Sequence, residues 1–172
     1  MLIAPPNLLD PNFRRTVLLI GAHDPVEGAF GLVLNREADR VVSEIVEESD
    51  LGPLGDVPVY YGGPVARDRL TFASFRWNEE EQRLECRTNL ELAEAQKLAM
   101  EPDVVIRGYV GYAGWSAGQL ESELEAKAWL VQPVDREILD PLRCRQIWFN
   151  IMQQYGPWFR LLALTPDDPS LN

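Results

Sequence analysis

The shortness of the apolar runs is the feature that most constrains the fold. Thr16 to Ile20 and Phe30 to Leu34 have strand length and no helical period, and a turn-rich segment from Gly21 to Gly28 separates them. This spacing predicts two buried strands joined as a hairpin. Val57 to Tyr61 resumes strand character and stops at Gly62-Gly63-Pro64, after which Leu70 to Phe75 reads as the next strand and Asn78 to Gln82 as a turn. No apolar run approaches the ~18 residues that a spanning helix needs.

Helical signals are interleaved with these runs. Val41, Val42, Ile45 and Val46 recur at helical spacing behind Asp39 and predict a short helix in spite of their β-branched side chains. Thr88 and Glu91 have capping-box spacing ahead of a helix through Ala99, which Pro102 ends before a strand from Val104 to Tyr109. Ser116 and Gln119 repeat that spacing before a helix reaching about Glu125, with a short strand at Trp129 to Val131. The clearest helix is the last. Asp140 suits the N-cap, Pro141 the first helical position and Gly156 the stop, while Ile147, Trp148, Ile151, Met152 and Tyr155 form one apolar stripe that reads as core. From Thr165 the chain reads as a polar, proline-containing tail. No internal repeat or composition break divides the 172 residues, so a single α+β domain spanning 1–172 is expected.

Charge narrows the partners. With 27 acidic against 16 basic residues the net charge is −11, which opposes phosphate backbones and anionic lipid and argues against direct nucleic-acid or membrane binding. The opening Met-Leu-Ile-Ala-Pro-Pro lacks a basic n-region and a sustained apolar h-region, so a cytoplasmic protein is expected. Cys86 and Cys144, far apart and without a CxxC pattern, read as free buried thiols in a reducing compartment.

Four blocks, in order along the chain, resemble the YqgE/AlgH family of uncharacterised bacterial proteins. They are Leu2-Ile3-Ala4 with Asn7 to Phe13, Gly28 to Arg36, Tyr61-Gly62-Gly63-Pro64-Val65, and Gly111 to Glu121. Departures fall at Pro5, where the family usually has methionine, at Glu37, where proline is usual, and at Ser116, where glycine is common. The resemblance implies a bent, split, largely antiparallel sheet forming a barrel-like body with helices packed outside. Family members carry the label of transcriptional regulator, after an association with control of alginate genes. This chain offers no helix-turn-helix pair and no basic recognition helix, so regulation through a protein partner or small ligand is the expectation that fits its charge.

Gly114-Trp115-Ser116-Ala117-Gly118 fits G-x-S-x-G, the strand-to-helix elbow that exposes a nucleophilic serine. The only histidine, His23, precedes the serine in sequence, and helix capping by Ser116 is the competing explanation. Gly108, Gly111, Gly114 and Gly118 match neither a dinucleotide nor a P-loop fingerprint, and they face Glu121, Glu123 and Glu125. His23 with Asp24 and Glu27 lacks the convergent spacing of a zinc site and reads as a solvated turn, as does Glu79-Glu80-Glu81. No cofactor and no metal is implied.

The preferred reading is therefore a non-enzymatic binding or regulatory module acting through a protein partner or small ligand. The alternative is a small serine-dependent hydrolase using Ser116 and His23. The candidate ligand surface comprises Asn35, Arg36, Gly62, Gly63, Pro64, Trp115, Ser116 and Gln119, where strands give way to loops. Convergence of these residues requires the three preceding strands to end on one side of the sheet, as parallel strands would. The competing expectation is a set of tight turns that bend the sheet, with Trp115 packed inside.

Overall fold

The computed structural model describes residues 1–47 and 50–164. The tail expected from Thr165 lies outside them. Among these residues lie nine strands and four α-helices, in the order β1 (Leu2–Ile3), β2 (Val17–Asp24), β3 (Gly28–Val33), β4 (Glu37–Val41), β5 (Pro58–Tyr61), β6 (Val65–Asn78), β7 (Arg83–Leu90), α1 (Leu92–Leu98), β8 (Val105–Trp115), α2 (Gln119–Glu125), β9 (Leu130–Val131), α3 (Pro141–Gln154) and α4 (Pro157–Ala163). The chain is α+β.

The long strand β8 organises the sheet. One of its edges carries β6, paired from Phe75↔Val105 to Val65↔Tyr112. Its other edge is shared in series, first by β5 in parallel (Tyr61↔Val110) and then by β3 antiparallel (Ala29↔Trp115). The sheet therefore splits at β8 into a β4-β5-β8-β6-β7 half and a β8-β3-β2-β1-β9 half. Among the described residues it is not closed: β4 and β9 end the strand order and β7 pairs with β6 alone, so the barrel-like body implied by the resemblance is an open, bent sheet. The β5–β8 pair is the one parallel pair among the described residues.

Three sequence expectations are corrected by pairing. Glu37 to Val41 runs as a strand against β5, and only Val42–Glu44 turns, as one 3₁₀ turn, because β-branched residues lose rotamer freedom in a helix and gain partners in a sheet. Thr88 lies inside β7, so α1 begins later, with Glu91 as its N-cap. Gly111 to Trp115, expected as loop, is strand, and only 116–118 connect β8 to α2.

The last long helix forms as its termini dictate. The Asp140 carboxylate accepts from the backbone N–H groups of Leu142 and Arg143 at 2.9 and 3.4 Å, and Pro141 occupies the first turn. Ile147, Trp148, Ile151 and Met152 are buried, and the Trp148 indole N–H donates to the Ala4 carbonyl at 2.7 Å, tying α3 to β1. Gly156, at φ 113°, ends this helix and caps α4, which the sequence reading lacked. In the same core Arg107 is buried, its guanidinium 4.9 Å from the Tyr60 ring centroid and 5.3 Å from that of Phe75. Both cysteines are free thiols; Cys144 is buried, and burial pushes the half-buried Cys86 thiol up to about 12.

Candidate functional site

Register decides which of the expected site residues meet. Trp115 pairs with Ala29 at the start of β3, whereas Asn35 lies two residues past its end. At ~3.3 Å per residue the two are about 20 Å apart. Although β5 and β8 run in parallel, β8 continues past the β5 terminus to Trp115, and β3 runs the opposite way. The eight residues thus form two groups, one running from Asn35 past the end of β3 to Gly63 against Tyr112 and Ala113 of β8, the other at the Trp115 end, and no single described pocket is lined by both.

The first group is Asn35, Arg36, Gly62, Gly63 and Pro64, joined by the loop preceding β2. This loop folds on itself: Asp10 accepts from the backbone N–H of Asn12 through its side chain (2.8 Å) and from that of Arg14 through its carbonyl (2.8 Å). Asn35 continues the sheet with its amide, which accepts from the Val17 N–H and donates to the Arg15 carbonyl, each at 2.9 Å. Arg36 donates to the carbonyls of Asn12 (2.7 Å), Pro11 (3.0 Å) and Arg14 (3.1 Å). Arg67 reaches the same loop from β6, donating to Asn12 Oδ1 at 2.8 Å. Burial foremost, then the charges of Arg14 and Arg67, hold the Arg36 guanidinium below its ordinary basicity, with Asp10 opposing. Arg36 and Arg67 thus bond to neutral acceptors, and positive charge accumulates on an acidic protein.

Gly62 and Gly63 serve backbone contact. A Cβ at Gly62 would lie 2.2 Å from the Gly111 carbonyl oxygen, and one at Gly63 2.2 Å from the Tyr112 carbonyl carbon. Beside this junction Asn35, Arg36, Glu37, Asp39, Tyr61 and Arg145 line a shallow depression of about 400 Å³. Arg145 spans it, donating to Glu37 at 2.7 Å and Asp39 at 3.0 Å.

The second group, Trp115, Ser116 and Gln119, is knotted by Glu123, whose role sequence reasoning missed. One Glu123 oxygen accepts from both indoles, Trp115 at 2.9 Å and Trp129 at 2.7 Å. The other accepts from the Gln119 amide at 2.9 Å, and Gln119 in turn accepts from the Ser116 N–H and hydroxyl, each at 3.1 Å. The Ser116–Gln119 half of a capping box is therefore present, although the N-cap of α2 is Gly118, at φ 72°. Trp115 is buried, edge-on to Trp129.

His23 sits two strands from Trp115, through His23↔Ala29 and Ala29↔Trp115. Its Nε2 lies 2.6 Å from Glu121 Oε1, and no hydrogen bond joins it to Ser116 among the described residues. Asp24 caps the turn by accepting from the N–H groups of Val26 and Glu27 at 2.7 and 3.0 Å.

An open α+β sheet split along one shared strand, with its motif blocks folded into polar knots, defines the class. Residues 1–160 match the model of the AlgH-like family DUF179, and the chain belongs to that family. It is 36% identical over 172 residues to a UPF0301 protein of Thioalkalivibrio sulfidiphilus, covering 94% of this chain and 91% of the relative. It is 35% identical to one of Streptomyces coelicolor, covering 100% and 93%. The solution structure of AlgH from Pseudomonas aeruginosa is similar with a TM-score of 0.65 and 29% identity, over 96% of this chain and 92% of that one. Protein DIP2367 from Corynebacterium diphtheriae shares the fold with a TM-score of 0.68 at 22% identity, over 95% and 90%. Among the described residues no helix is long and apolar enough to cross a membrane.

Proposed function

We propose that the chain is a non-enzymatic binding or regulatory module of the cytoplasm, recognising an acidic group on a protein partner or small ligand through the face around Arg14, Arg36 and Arg67. One observation carries this reading: three arginines gather on one loop of a protein with net charge −11, and the acceptors of Arg36 and Arg67 are carbonyl and amide oxygens. Arginine donors that keep their charge favour carboxylate or phosphate. The reading excludes duplex DNA and membrane surfaces as direct partners, since the total charge repels both.

The test is co-purification of the full chain from its own cells, followed by identification of bound protein and of small molecules released on denaturation. A stoichiometric partner or ligand lost from Arg67→Glu, with Arg40→Glu unaffected, is expected. A partner retained by Arg67→Glu, or none at all, would overturn the assignment.

A second reading, a serine-dependent hydrolase, draws on one feature: Glu121 orients the His23 imidazole near the strand end that carries Ser116. Turnover in an esterase, phosphatase and peptidase panel that disappears in Ser116→Ala would establish it.

A further inference from the structure

Among the described residues the strand pairs leave register in four places, and besides the β4–β5 irregularity between Glu37 and Val41 there are three others. In β2, Gly21 is an extra residue between the pairs Ile20↔Gly31 and Ala22↔Phe30. In β6, Ala66 to Arg69 bulge out between Val65↔Tyr112 and Leu70↔Val110. In β7 one extra residue lies between Phe72↔Leu90 and Ser74↔Arg87, at Thr88 and Asn89. All three irregularities border one cavity of about 310 Å³, at the small end of the range that ligand sites occupy. Bulges redirect side chains and recur beside sites. Three cavity residues also adopt left-handed backbone: Ala66 at φ 51°, Asn89 at φ 55° and Gly111 at φ 73°. For alanine that conformation is costly, and such strain concentrates where a surface is held for binding.

The wall chemistry is specific. Phe30 and Tyr112 stack with centroids 5.1 Å apart and form an aromatic wall extended by Ala22. The lining also includes Arg69, Thr71, Thr88 and Asn89, none of whose side chains makes a hydrogen bond or ion pair among the described residues. Among the described residues no carboxylate lines the cavity. One guanidinium, two hydroxyls and an amide held beside two rings suit a ligand with one anionic end and a flat apolar body.

We propose that this cavity binds a small aromatic monocarboxylate, its ring against Phe30 and Tyr112 and its carboxylate on Arg69. The cavity shares no lining residue with the depression beside Arg36, so either site can fail without the other.

The probe is phenylacetate, titrated into the ¹⁵N-labelled full chain and followed by NMR, with phenylacetamide and acetate in parallel. Saturable shifts at Thr88, Asn89, Gly111 and Tyr112, with a Kd of about 1 mM or tighter, are expected for a ligand of this size. The neutral amide and acetate each bind at least about tenfold more weakly, because one lacks the charge and the other the ring. Arg69→Gln weakens phenylacetate about tenfold with an unchanged melting temperature, since the exposed Arg69 side chain makes no hydrogen bond or ion pair among the described residues, while Arg40→Gln leaves the Kd alone. Absence of saturation by about 20 mM, well above that Kd, sinks the proposal, as do equal affinity for the amide or acetate and indifference to Arg69→Gln.

Discussion

The two ends of β3 solve the same problem with opposite charges. At one end the Arg36 cation gathers three backbone carbonyls, and at the other the Glu123 carboxylate gathers two indoles and an amide. Among the described residues neither central charge forms an ion pair within 4 Å, although Asp10 acts on Arg36 from farther away. The difference lies in what each holds. Glu123 anchors the N–H groups of two buried tryptophans through half-buried bonds, whereas two of the three carbonyl bonds of Arg36 are exposed. An acceptor for stranded donors is worth more to folding than a donor for solvated carbonyls, so the Glu123 knot is a device of stability and the Arg36 knot has charge left for recognition.

A ceiling for both comes from the core. Trp148→Ala removes a buried ring and its bond to Ala4, and should cost about 3 to 5 kcal/mol in denaturant melts. Glu123→Ala should follow at about 2 to 4 kcal/mol, because it strands two indole donors and the Gln119 amide together. Glu123→Gln, which keeps an acceptor, should recover more than half of that loss. Arg36→Ala should cost less, about 1 to 2 kcal/mol, since water replaces the donor at exposed carbonyls. Arg36→Lys should restore little, because a single ammonium cannot span three carbonyls as the planar fork does. Were Arg36→Ala to prove costlier than Glu123→Ala, the division between a stabilising and a recognising knot would collapse.

Some of this was legible in sequence and some was not, for physical reasons. Helix α3 declared itself because Asp140, Pro141 and Gly156 act on neighbouring backbone. The C-terminal half of β8 did not, because Gly111 and Gly114 read as loop while pairing with β6 and β3 on either edge holds them in the sheet. Asn35, Arg36 and the Gly62-Gly63 pair are legible as motif blocks, yet the carbonyls that Arg36 serves lie 22 to 25 residues upstream in a loop without periodicity. Glu123 looked like one more acid repelling phosphate. Only the fold shows that two tryptophans converge on it.

The smallest expected effect tests the corner beside the Glu123 knot, where His23 meets Glu121. The Glu121 carboxyl is held below the usual carboxylate range, first by its own backbone N–H and then by its hydrogen bond with His23. A depressed carboxylate pKa contributes stability that is present above the unfolded value, near 4.5, and is lost as pH falls through the folded one. Glu121→Gln should therefore lower the melting temperature slightly at neutral pH, and that difference should close as the pH falls below the unfolded value and through the folded one. Both partners are about two-fifths exposed, so the shift should also shrink in about 0.5 M salt. A wild-type advantage that survived in full once the pH had fallen through the folded value would mean that Glu121 stabilises the corner as a neutral acid instead.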